Sequence, residues 1–283
     1  MICAWDLFLG LIPSWMRTSM DKQVKTSLQE LRIRTQKKPE LVTSHGSIWL
    51  DRLATTEDIR FCINCASKYS PWAASTISDG YITGQGGHRI GICGESVVSN
   101  NSMTGIRDPS SVCIRIARDF PGIASSVASC NGSILIIGKP GSGKTTLLRD
   151  LIRQISDREE GCIAVVDEKH ELFPVYHNSY CFPTGNRTDI LSGCRKAHGI
   201  ESVLRNMGPT TIAVDEITAA EDCQALIHAG WCGVRLLASA HASNLNDLKS
   251  RPVYRPIIES GLFEMVLVLQ PNKTWCAERL MKV

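Results

Sequence analysis

The feature of this sequence that most restricts its possible folds is a glycine-rich segment near the middle of the chain. It fits the pattern G-x-x-x-x-G-K-[ST], whose fixed positions are Gly138, Gly143, Lys144 and Thr145. An apolar run at 133–137 precedes the segment, and a helical pattern follows it. This order predicts a strand, a phosphate-binding loop (P-loop) and a helix, because glycines let backbone N–H groups surround an anion at a helix N-terminus.

The P-loop predicts a site for ATP and Mg²⁺. The Lys144 ammonium can reach the β- and γ-phosphates, and the Thr145 hydroxyl can bind the metal ion. A glycine-rich turn without function is the competing interpretation, but chance matches usually lack the flanking strand and helix. We expect nucleotide binding by one continuous stretch: Gly138, Lys139, Pro140, Gly141, Ser142, Gly143, Lys144, Thr145 and Thr146.

Two later apolar runs end in Asp-Glu pairs, which are Asp167-Glu168 and Asp215-Glu216. Ligands of parallel α/β sheets bind at the carboxyl ends of the strands, so both pairs are expected at the nucleotide. Asp215 is the candidate for holding Mg²⁺, and Glu216 for polarising the attacking water. Glu168 is a rival for the second role. The alternative for each aspartate is an N-cap of the following helix.

A further apolar run, VRLLASAH, ends at His241. A histidine at the end of such a strand can sense the γ-phosphate or relay its presence to a neighbour. An ordinary core or surface histidine is the competing interpretation. The pattern alone leaves both open.

The chain is expected to be an α/β protein with an N-terminal domain at 1–125 and a P-loop domain at 126–283. In the second domain, apolar runs alternate with helical segments, which is typical of a parallel sheet buried on both faces. The first domain reads as two short strands within 28–50, a helix at 55–67 with Thr56 as N-cap, and a hairpin at 81–95. A short helix is predicted at 123–128.

Composition excludes several classes of protein. The 283 residues carry a formal charge of +3, too little to indicate a polyanion-binding protein, and no apolar run suits a transmembrane helix or a signal peptide. The twelve cysteines suit a reducing cytosol, and Cys62-x-x-Cys65 lacks a second metal-ligand pair. The apolar residues within 5–16 are expected to pack on their own domain, with docking on a membrane or partner as the alternative.

The motifs together resemble the stage III sporulation protein AA family, which is related to the ATPases of type II and type IV secretion systems. The resemblance rests on the P-loop, VVDEKHE at 165–171, NRTDILSGCRKAHGIESVLRNMGP at 186–209, AVDEI at 213–217 and ASAHA at 238–242. In the front half LRIR at 31–34, GGHRIGICGE at 86–95 and CIRIARDFPG at 113–122 also match. The resemblance therefore spans nearly the whole chain.

This resemblance implies a RecA-like P-loop ATPase domain behind a smaller N-terminal α/β domain, assembled into a homo-oligomeric ring, expected to be a hexamer. It implies a cytoplasmic ATPase at the mother-cell side of the forespore membrane, acting on membrane-embedded proteins of a sporulation channel. By the same analogy Glu168 belongs to an acidic box, Asp215 and Glu216 to Walker B, and His241 to a histidine box.

The resemblance also suggests arginine fingers, because secretion ATPases bring arginines of the N-terminal domain toward the γ-phosphate. The matching segments contain Arg89 and Arg115, and Arg187 is a candidate in the P-loop domain. Such a finger neutralises charge in the transition state of phosphoryl transfer. A solvated arginine at a strand edge is the alternative for each.

Some positions depart from the family pattern. Lys169 stands where arginine is expected, and Ser192, Arg195 and His198 stand where Asp, Pro and Glu are expected. Lysine lacks the planar fork of arginine, so Lys169 is expected to weaken a contact beside the acidic pair. None of these departures touches the P-loop or the Asp215-Glu216 pair.

Three functions are compatible with the sequence. The first is a secretion-type motor that hydrolyses ATP for a sporulation channel. The second is a RecA-like ATPase stimulated by nucleic acid, although aromatic residues are only 6% and no basic cluster interleaves with them, so no nucleic-acid partner is expected. The third is a scaffold that assembles on binding ATP and hydrolyses little.

Overall fold

The fold divides into two units. A computed structural model describes residues 2–20, 22–67, 80–99, 102–158, 161–176, 178–270 and 272–280. Unit 1 comprises Met1–Arg118 with Val175–Cys181, and unit 2 comprises Asp119–Pro174 with Phe182–Val283. No pattern in the sequence indicates that the short segment 175–181 belongs to unit 1.

The front part of the chain consists of short helices and antiparallel strands, which are α1 (Trp5–Gly10), α2 (Ser14–Arg17), α3 (Lys22–Ser27), β1 (Leu28–Arg34), β2 (Glu40–Thr43), β3 (Gly46–Trp49), α4 (Thr56–Ser67), β4 (Tyr81–Thr83), β5 (Arg89–Ser99) and β6 (Ser102–Arg115). Within the described residues, these strands form an antiparallel sheet in the order β3-β2-β1-β6-β5-β4. The predicted hairpin at 81–95 is confirmed as the pairing of β4 with β5.

The rest of the chain alternates strands with helices, which are β7 (Ile134–Ile137), α5 (Lys144–Arg158), β8 (Ile163–Asp167), β9 (Val175–Tyr176), β10 (Ser179–Tyr180), β11 (Thr188–Ser192), α6 (Lys196–Asn206), β12 (Thr211–Ile217), α7 (Ala220–Trp231), β13 (Arg235–Ala240), α8 (Leu245–Ser250), α9 (Arg255–Glu259), β14 (Met265–Leu269) and β15 (Trp275–Arg279). The sheet of unit 2 has the order β11-β8-β12-β13-β7-β14-β15.

The sheet of unit 2 confirms the predicted parallel arrangement. Its neighbouring strands are parallel except for β14 and β15, which form an antiparallel pair at one edge. The central strands β7, β8 and β13 are the apolar runs seen in the sequence, and buried clusters cover the sheet on both sides. This topology brings the carboxyl ends of β7, β8, β12 and β13 to one edge of the sheet.

The N-terminal apolar segment packs on unit 1, as predicted. Trp5, Phe8, Ile12 and Met16 are all buried in the same cluster as the inner face of the sheet. Pro13 separates α1 from α2, so the segment bends around the core instead of forming one straight helix. No helix among the described residues combines the length and hydropathy that a transmembrane span requires.

Two details of unit 1 differ from the sequence-based prediction. Residues 28–50 form three strands instead of two, because Gly46, with φ of +128°, permits a tight turn that adds β3 beside β2. The cap of α4 is Thr55, not Thr56. The Thr55 hydroxyl accepts the Asp58 N–H at 3.2 Å, while the Asp58 carboxylate accepts the Thr55 N–H at 2.8 Å. This reciprocal pair is a capping box.

The helix predicted at 123–128 is wrong, because the structure has consecutive turns there. The carboxylate of Asp150 in α5 accepts the N–H of Gly122 at 2.9 Å and that of Ala124 at 2.8 Å. The N–H of Val127 bonds to the Ala124 carbonyl three residues earlier, at 3.0 Å. The segment is therefore held by α5 and by short-range turns, not by a helical ladder.

The capping box of α4 yields a stability prediction. Thr55→Ala removes the oxygen that accepts the Asp58 N–H, so it should lower the free energy of unfolding by about 1 kcal/mol. Thr56→Ala is the matched control and should have a much smaller effect. Urea denaturation followed by circular dichroism, with hydrogen exchange of α4 amides, measures both. Equal losses for the two variants would contradict the assignment of the cap.

Candidate nucleotide-binding site

The P-loop joins β7 to α5 and requires glycine for two different reasons. At Gly138 a Cβ atom would lie 2.5 Å from Ser142 Oγ and 3.1 Å from Leu269 Cβ, so a side chain there would have to displace the Ser142 hydroxyl and press on Leu269. Gly141 and Gly143 have φ of +73° and +102°, which side chains disfavour. The loop backbone is therefore shaped as a concave turn at the N-terminus of α5, where N–H groups and the helix dipole favour an anion.

The Lys144 side chain lies over the loop and is buried. Its ammonium donates to the carbonyl of Gly138 at 2.9 Å, to that of Lys139 at 3.1 Å and to His241 Nδ1 at 3.0 Å. Burial lowers the pKa of Lys144, and the two carboxylates at the end of β12 partly oppose that shift. The loop thus contains a partly desolvated cation next to its concave face.

The two candidate metal ligands lie side by side. The Thr145 hydroxyl donates to Asp215 Oδ2 at 2.7 Å, and the other carboxylate oxygen of Asp215 accepts a hydrogen bond from Ser239 on β13. Asp215 is buried at the end of β12. One carboxylate and one hydroxyl therefore face each other across the start of α5, which is the set of hard oxygen donors that Mg²⁺ prefers.

His241 links the P-loop lysine to Glu216. Its Nε2 atom lies 2.8 Å from Glu216 Oε1, while its Nδ1 atom lies 3.0 Å from Lys144 Nζ. Because an ammonium can only donate, Nδ1 accepts and Nε2 carries the hydrogen that Glu216 accepts. The sequence-predicted residues Lys144, Glu216 and His241 are thus brought into one hydrogen-bonded chain.

The first acidic pair has a different environment. Asp167 is buried at the end of β8 and accepts the N–H groups of Glu171 and Phe173, each at 2.9 Å. Burial raises the pKa of Asp167, and hydrogen bonds from the backbone amides of Phe173 and Leu172 partly oppose the shift. The described residues after β8 form turns, so Asp167 organises a loop and is not the helix N-cap weighed as an alternative.

Glu168 is paired with Lys196, the first residue of α6, which the sequence reasoning missed. The Lys196 ammonium donates to Glu168 Oε2. The Lys196 side chain is 5% exposed and that of Glu168 is 31% exposed, so the cation is the more desolvated partner. No short motif signals such a pair, because its members are separated by β11 and become neighbours only when α6 packs beside β8.

A second missed residue is Arg149 on α5. Its guanidinium donates to the carbonyls of Leu172 and Glu171, lies 3.3 Å from an Asp119 carboxylate oxygen and stacks 4.4 Å above the Phe182 ring. These contacts fasten the P-loop helix to the loop that Asp167 organises. An arginine within a helical pattern ordinarily indicates a solvated face, so the sequence did not indicate its burial.

The structure does not bring Arg187 to this group within one chain. Arg187 precedes β11, and its side chain donates to the Ser156 carbonyl at 3.4 Å near the end of α5. Its place is at the amino ends of the parallel strands, whereas Asp215 and Glu216 lie at the carboxyl ends.

Arg89 and Arg115 belong to unit 1. The Arg89 guanidinium stacks 3.9 Å above the Tyr81 ring, and Arg115 forms a 3.3 Å ion pair with Glu30. Arg89 lies on β5 and Arg115 on β6, both in the antiparallel sheet of unit 1. Their role as fingers stays a prediction.

The residues present fit a nucleoside triphosphate with a magnesium ion. A side chain at Gly138 would displace the Ser142 hydroxyl, and that hydroxyl is buried with no hydrogen-bond partner among the described residues. The lysine charge, the hydroxyl of Thr145 and the carboxylate of Asp215 lie at the same end of α5. Phosphate oxygens bind N–H donors and a positive charge, which the loop and Lys144 offer. Mg²⁺ binds oxygen ligands, which Thr145 and Asp215 offer.

The fold and this site together define the class, which is a RecA-like P-loop ATPase fold with an N-terminal domain, as found in secretion ATPases. The ATPase DotB of Legionella pneumophila superposes with a TM-score of 0.60 at 17% identity, covering 95% of this chain and 80% of that one. The pilus retraction motor PilT, solved with bound ADP, has a TM-score of 0.58 at 13% identity, covering 87% and 75%.

The chain belongs to the family described as "Sporulation stage III, protein AA", whose model matches residues 11–278. It is 34% identical to the stage III sporulation protein AA of Bacillus subtilis over 276 residues, which covers 93% of this chain and 90% of that relative. The resemblance stated from the sequence motifs is therefore confirmed, and so is the predicted fold class.

The Lys196–Glu168 pair yields a second stability prediction. Glu168→Ala leaves a buried ammonium without its partner and should lower the free energy of unfolding by about 1–3 kcal/mol. Lys196→Met should have a smaller effect, because water reaches Glu168. Chemical denaturation of both variants measures this asymmetry.

A matched control is Glu95→Ala, which breaks an ion pair with Arg107 whose side chains are 57% and 64% exposed. Its loss of stability should be clearly smaller than that of Glu168→Ala, because water screens an exposed pair. A Glu168→Ala variant no less stable than Glu95→Ala would show that Lys196 is not desolvated as described.

Proposed function

We propose that this chain is an ATP-hydrolysing motor of the secretion type that serves a sporulation channel between mother cell and forespore. One observation carries the catalytic part of this proposal. The P-loop lysine, the candidate metal ligands and a strand-end glutamate are joined at one sheet edge by hydrogen bonds through His241 and Ser239. The family assignment supports the sporulation part.

Each residue of the group has a role that its chemistry supports. Backbone N–H groups within 138–146, of which Pro140 has none, bind phosphate oxygens. Lys144 neutralises charge at the β- and γ-phosphates, and Thr145 and Asp215 hold Mg²⁺. When bound, Mg²⁺ withdraws electron density from the phosphoryl group. Glu216 orients a water molecule and accepts its proton, and His241 holds the Glu216 carboxylate through Oε1.

The surroundings of the two rival glutamates favour Glu216 as the base. Glu168 is engaged by the buried ammonium of Lys196, and neutralising this carboxylate would leave that ammonium without its counter-charge. Glu216 contacts the His241 imidazole through Oε1, and its second carboxylate oxygen, Oε2, is the one proposed to meet water. Glu168 is then a structural member of the acidic box in this proposal.

The working assembly in this proposal is a homo-oligomeric ring, with six subunits, at the mother-cell side of the forespore membrane. Its partners are membrane-embedded proteins of the sporulation channel.

The proposed arginine fingers act within this ring. Arg89 and Arg115 of the N-terminal domain approach the γ-phosphate when the ring closes, and Arg187 is a candidate finger for the nucleotide site of a neighbouring subunit. Size in solution with and without Mg-ATP tests the assembly, and a monomer under all conditions would contradict it.

A second candidate function is a scaffold that assembles on binding ATP and turns over little. The observation that favours it is the engagement of both glutamates, because Glu168 pairs with Lys196 and Glu216 accepts from His241. Sporulation supported by a variant that binds ATP without hydrolysing it would select the scaffold over the motor.

The role of Lys144 yields a catalytic prediction. Lys144→Ala removes the charge at the phosphates and should lower ATP hydrolysis on the order of 10²-fold or more. Lys249→Ala, at an exposed position on α8, is the control for loss of one positive charge and should hydrolyse ATP at the unaltered rate. Steady-state phosphate release measures both. Equal rates for Lys144→Ala and the unaltered protein would remove the catalytic part of the proposal.

The choice between Glu216 and Glu168 as the catalytic base yields a second catalytic prediction. Glu216→Gln keeps a hydrogen-bond acceptor for His241 but cannot take a proton, so kcat should fall by about 10²-fold or more. Glu168→Gln should retain most activity, since its proposed role is structural. The reverse order of activities would make Glu168 the base.

The rate of phosphate release should not rise when single-stranded DNA is added to the unaltered protein. A steep rise would favour the ATPase stimulated by nucleic acid.

A further inference from the structure

Strand β12 is irregular at the position of its two carboxylate residues, Asp215 and Glu216.

 Val214 pairs with Ala238 of β13, and the parallel register resumes only at Ile217 with Ala240. Asp215 and Glu216 therefore stand opposite the single residue Ser239. Side chains of a regular strand alternate between the two faces of the sheet. A bulge of this kind interrupts the alternation and re-aims a side chain.

The backbone of Glu216 is left-handed, with φ of +55°. A residue other than glycine disfavours this conformation, so it persists only where surrounding contacts hold it. The bulge also takes the Glu216 N–H out of the regular ladder with β13. That N–H donates to Ser239 Oγ at 2.8 Å.

Ser239 is fully buried, at 0% exposure, and its hydroxyl makes two bonds in this place. It accepts the Glu216 N–H and donates its one hydrogen to Asp215 Oδ1. The donation orients the Asp215 carboxylate so that Oδ2 meets the Thr145 hydroxyl. One oxygen atom thus fixes the side chain of one acidic residue and the backbone of the next.

We propose that Ser239 is a positioning residue, which holds Asp215 toward the metal ion and Glu216 toward water. This inference rests on the proposed function for its catalytic readout. Ser239 acts through its two neighbours and touches no reacting atom. Without its hydroxyl, the Asp215 carboxylate loses one anchor and the bulge loses the acceptor that stabilises the left-handed backbone of Glu216.

The test compares Ser239→Ala with Ser133→Ala. Ser133 is also buried, and its Oγ accepts the N–H of Leu236 at 3.0 Å near the other end of β13. Each variant therefore removes one buried hydroxyl that accepts a backbone N–H of the same sheet. Ser239→Ala should lower kcat at least tenfold and weaken Mg²⁺-dependent ATP binding measured by calorimetry, whereas Ser133→Ala should leave both unchanged.

A double variant separates positioning from loss of fold. If Ser239 acts on the water-activating group, Ser239→Ala should reduce kcat much less in a Glu216→Gln background than in the unaltered protein. Full multiplication of the two losses would overturn that part of the inference. Ser239→Cys, which keeps the size of the side chain with a weaker donor, should give an intermediate kcat if Ser239→Ala folds poorly.

Hydrogen exchange gives a readout that needs no catalysis. The amide of Glu216 should exchange faster in Ser239→Ala than in either the unaltered protein or Ser133→Ala, and exchange that stays slow would overturn the inference. An unaltered protein that hydrolyses no ATP would refute the proposed function instead, and the exchange result would still decide whether Ser239 holds the bulge.

Discussion

The central position of β13 between β7 and β12 is the constraint on which the site depends. The P-loop follows β7, and the candidate metal ligand Asp215 lies near the end of β12, so β13 runs between the two strands that carry them. Thr145 at the start of α5 meets Asp215 directly, and residues at the carboxyl end of β13 add further contacts. Ser239 holds Asp215 and the Glu216 backbone, and His241 joins Lys144 to Glu216.

Burial increases the contribution of these hydrogen bonds to stability. An unpaired charge inside a protein is strongly destabilising, and hydrogen bonds gain strength where water is excluded. Lys144, Asp167, Arg149 and Asp215 are all buried, and each has specific partners in the loops at the carboxyl ends of the strands. The same contacts that offset desolvation also restrict the directions in which these side chains point.

Much of this arrangement was predictable from the sequence, because it depends on local patterns. The P-loop combines a strand, glycines and a helix within one short segment, and continuous apolar runs indicated β7, β8, β12 and β13. The strand-end positions of Asp215, Glu216 and His241 followed from the same runs, since carboxyl ends of parallel strands share an edge.

The parts that the sequence did not reveal depend on contacts between distant segments. Lys196 reaches Glu168 across β11, and Arg149 is buried only because the loop after β8 offers it carbonyl groups. The segment at 123–128 has the composition of a helix, yet it forms turns, because the Asp150 carboxylate in α5 accepts the N–H of Ala124. Such outcomes are decided by tertiary packing, which overrides local propensity.

The contacts of Lys144 have a consequence for how tightly any anion is retained. An ammonium has three N–H donors, and all three are engaged with two loop carbonyls and an imidazole nitrogen. A phosphate bound as proposed would have to displace some of these acceptors, so its affinity would reflect a difference between two sets of bonds.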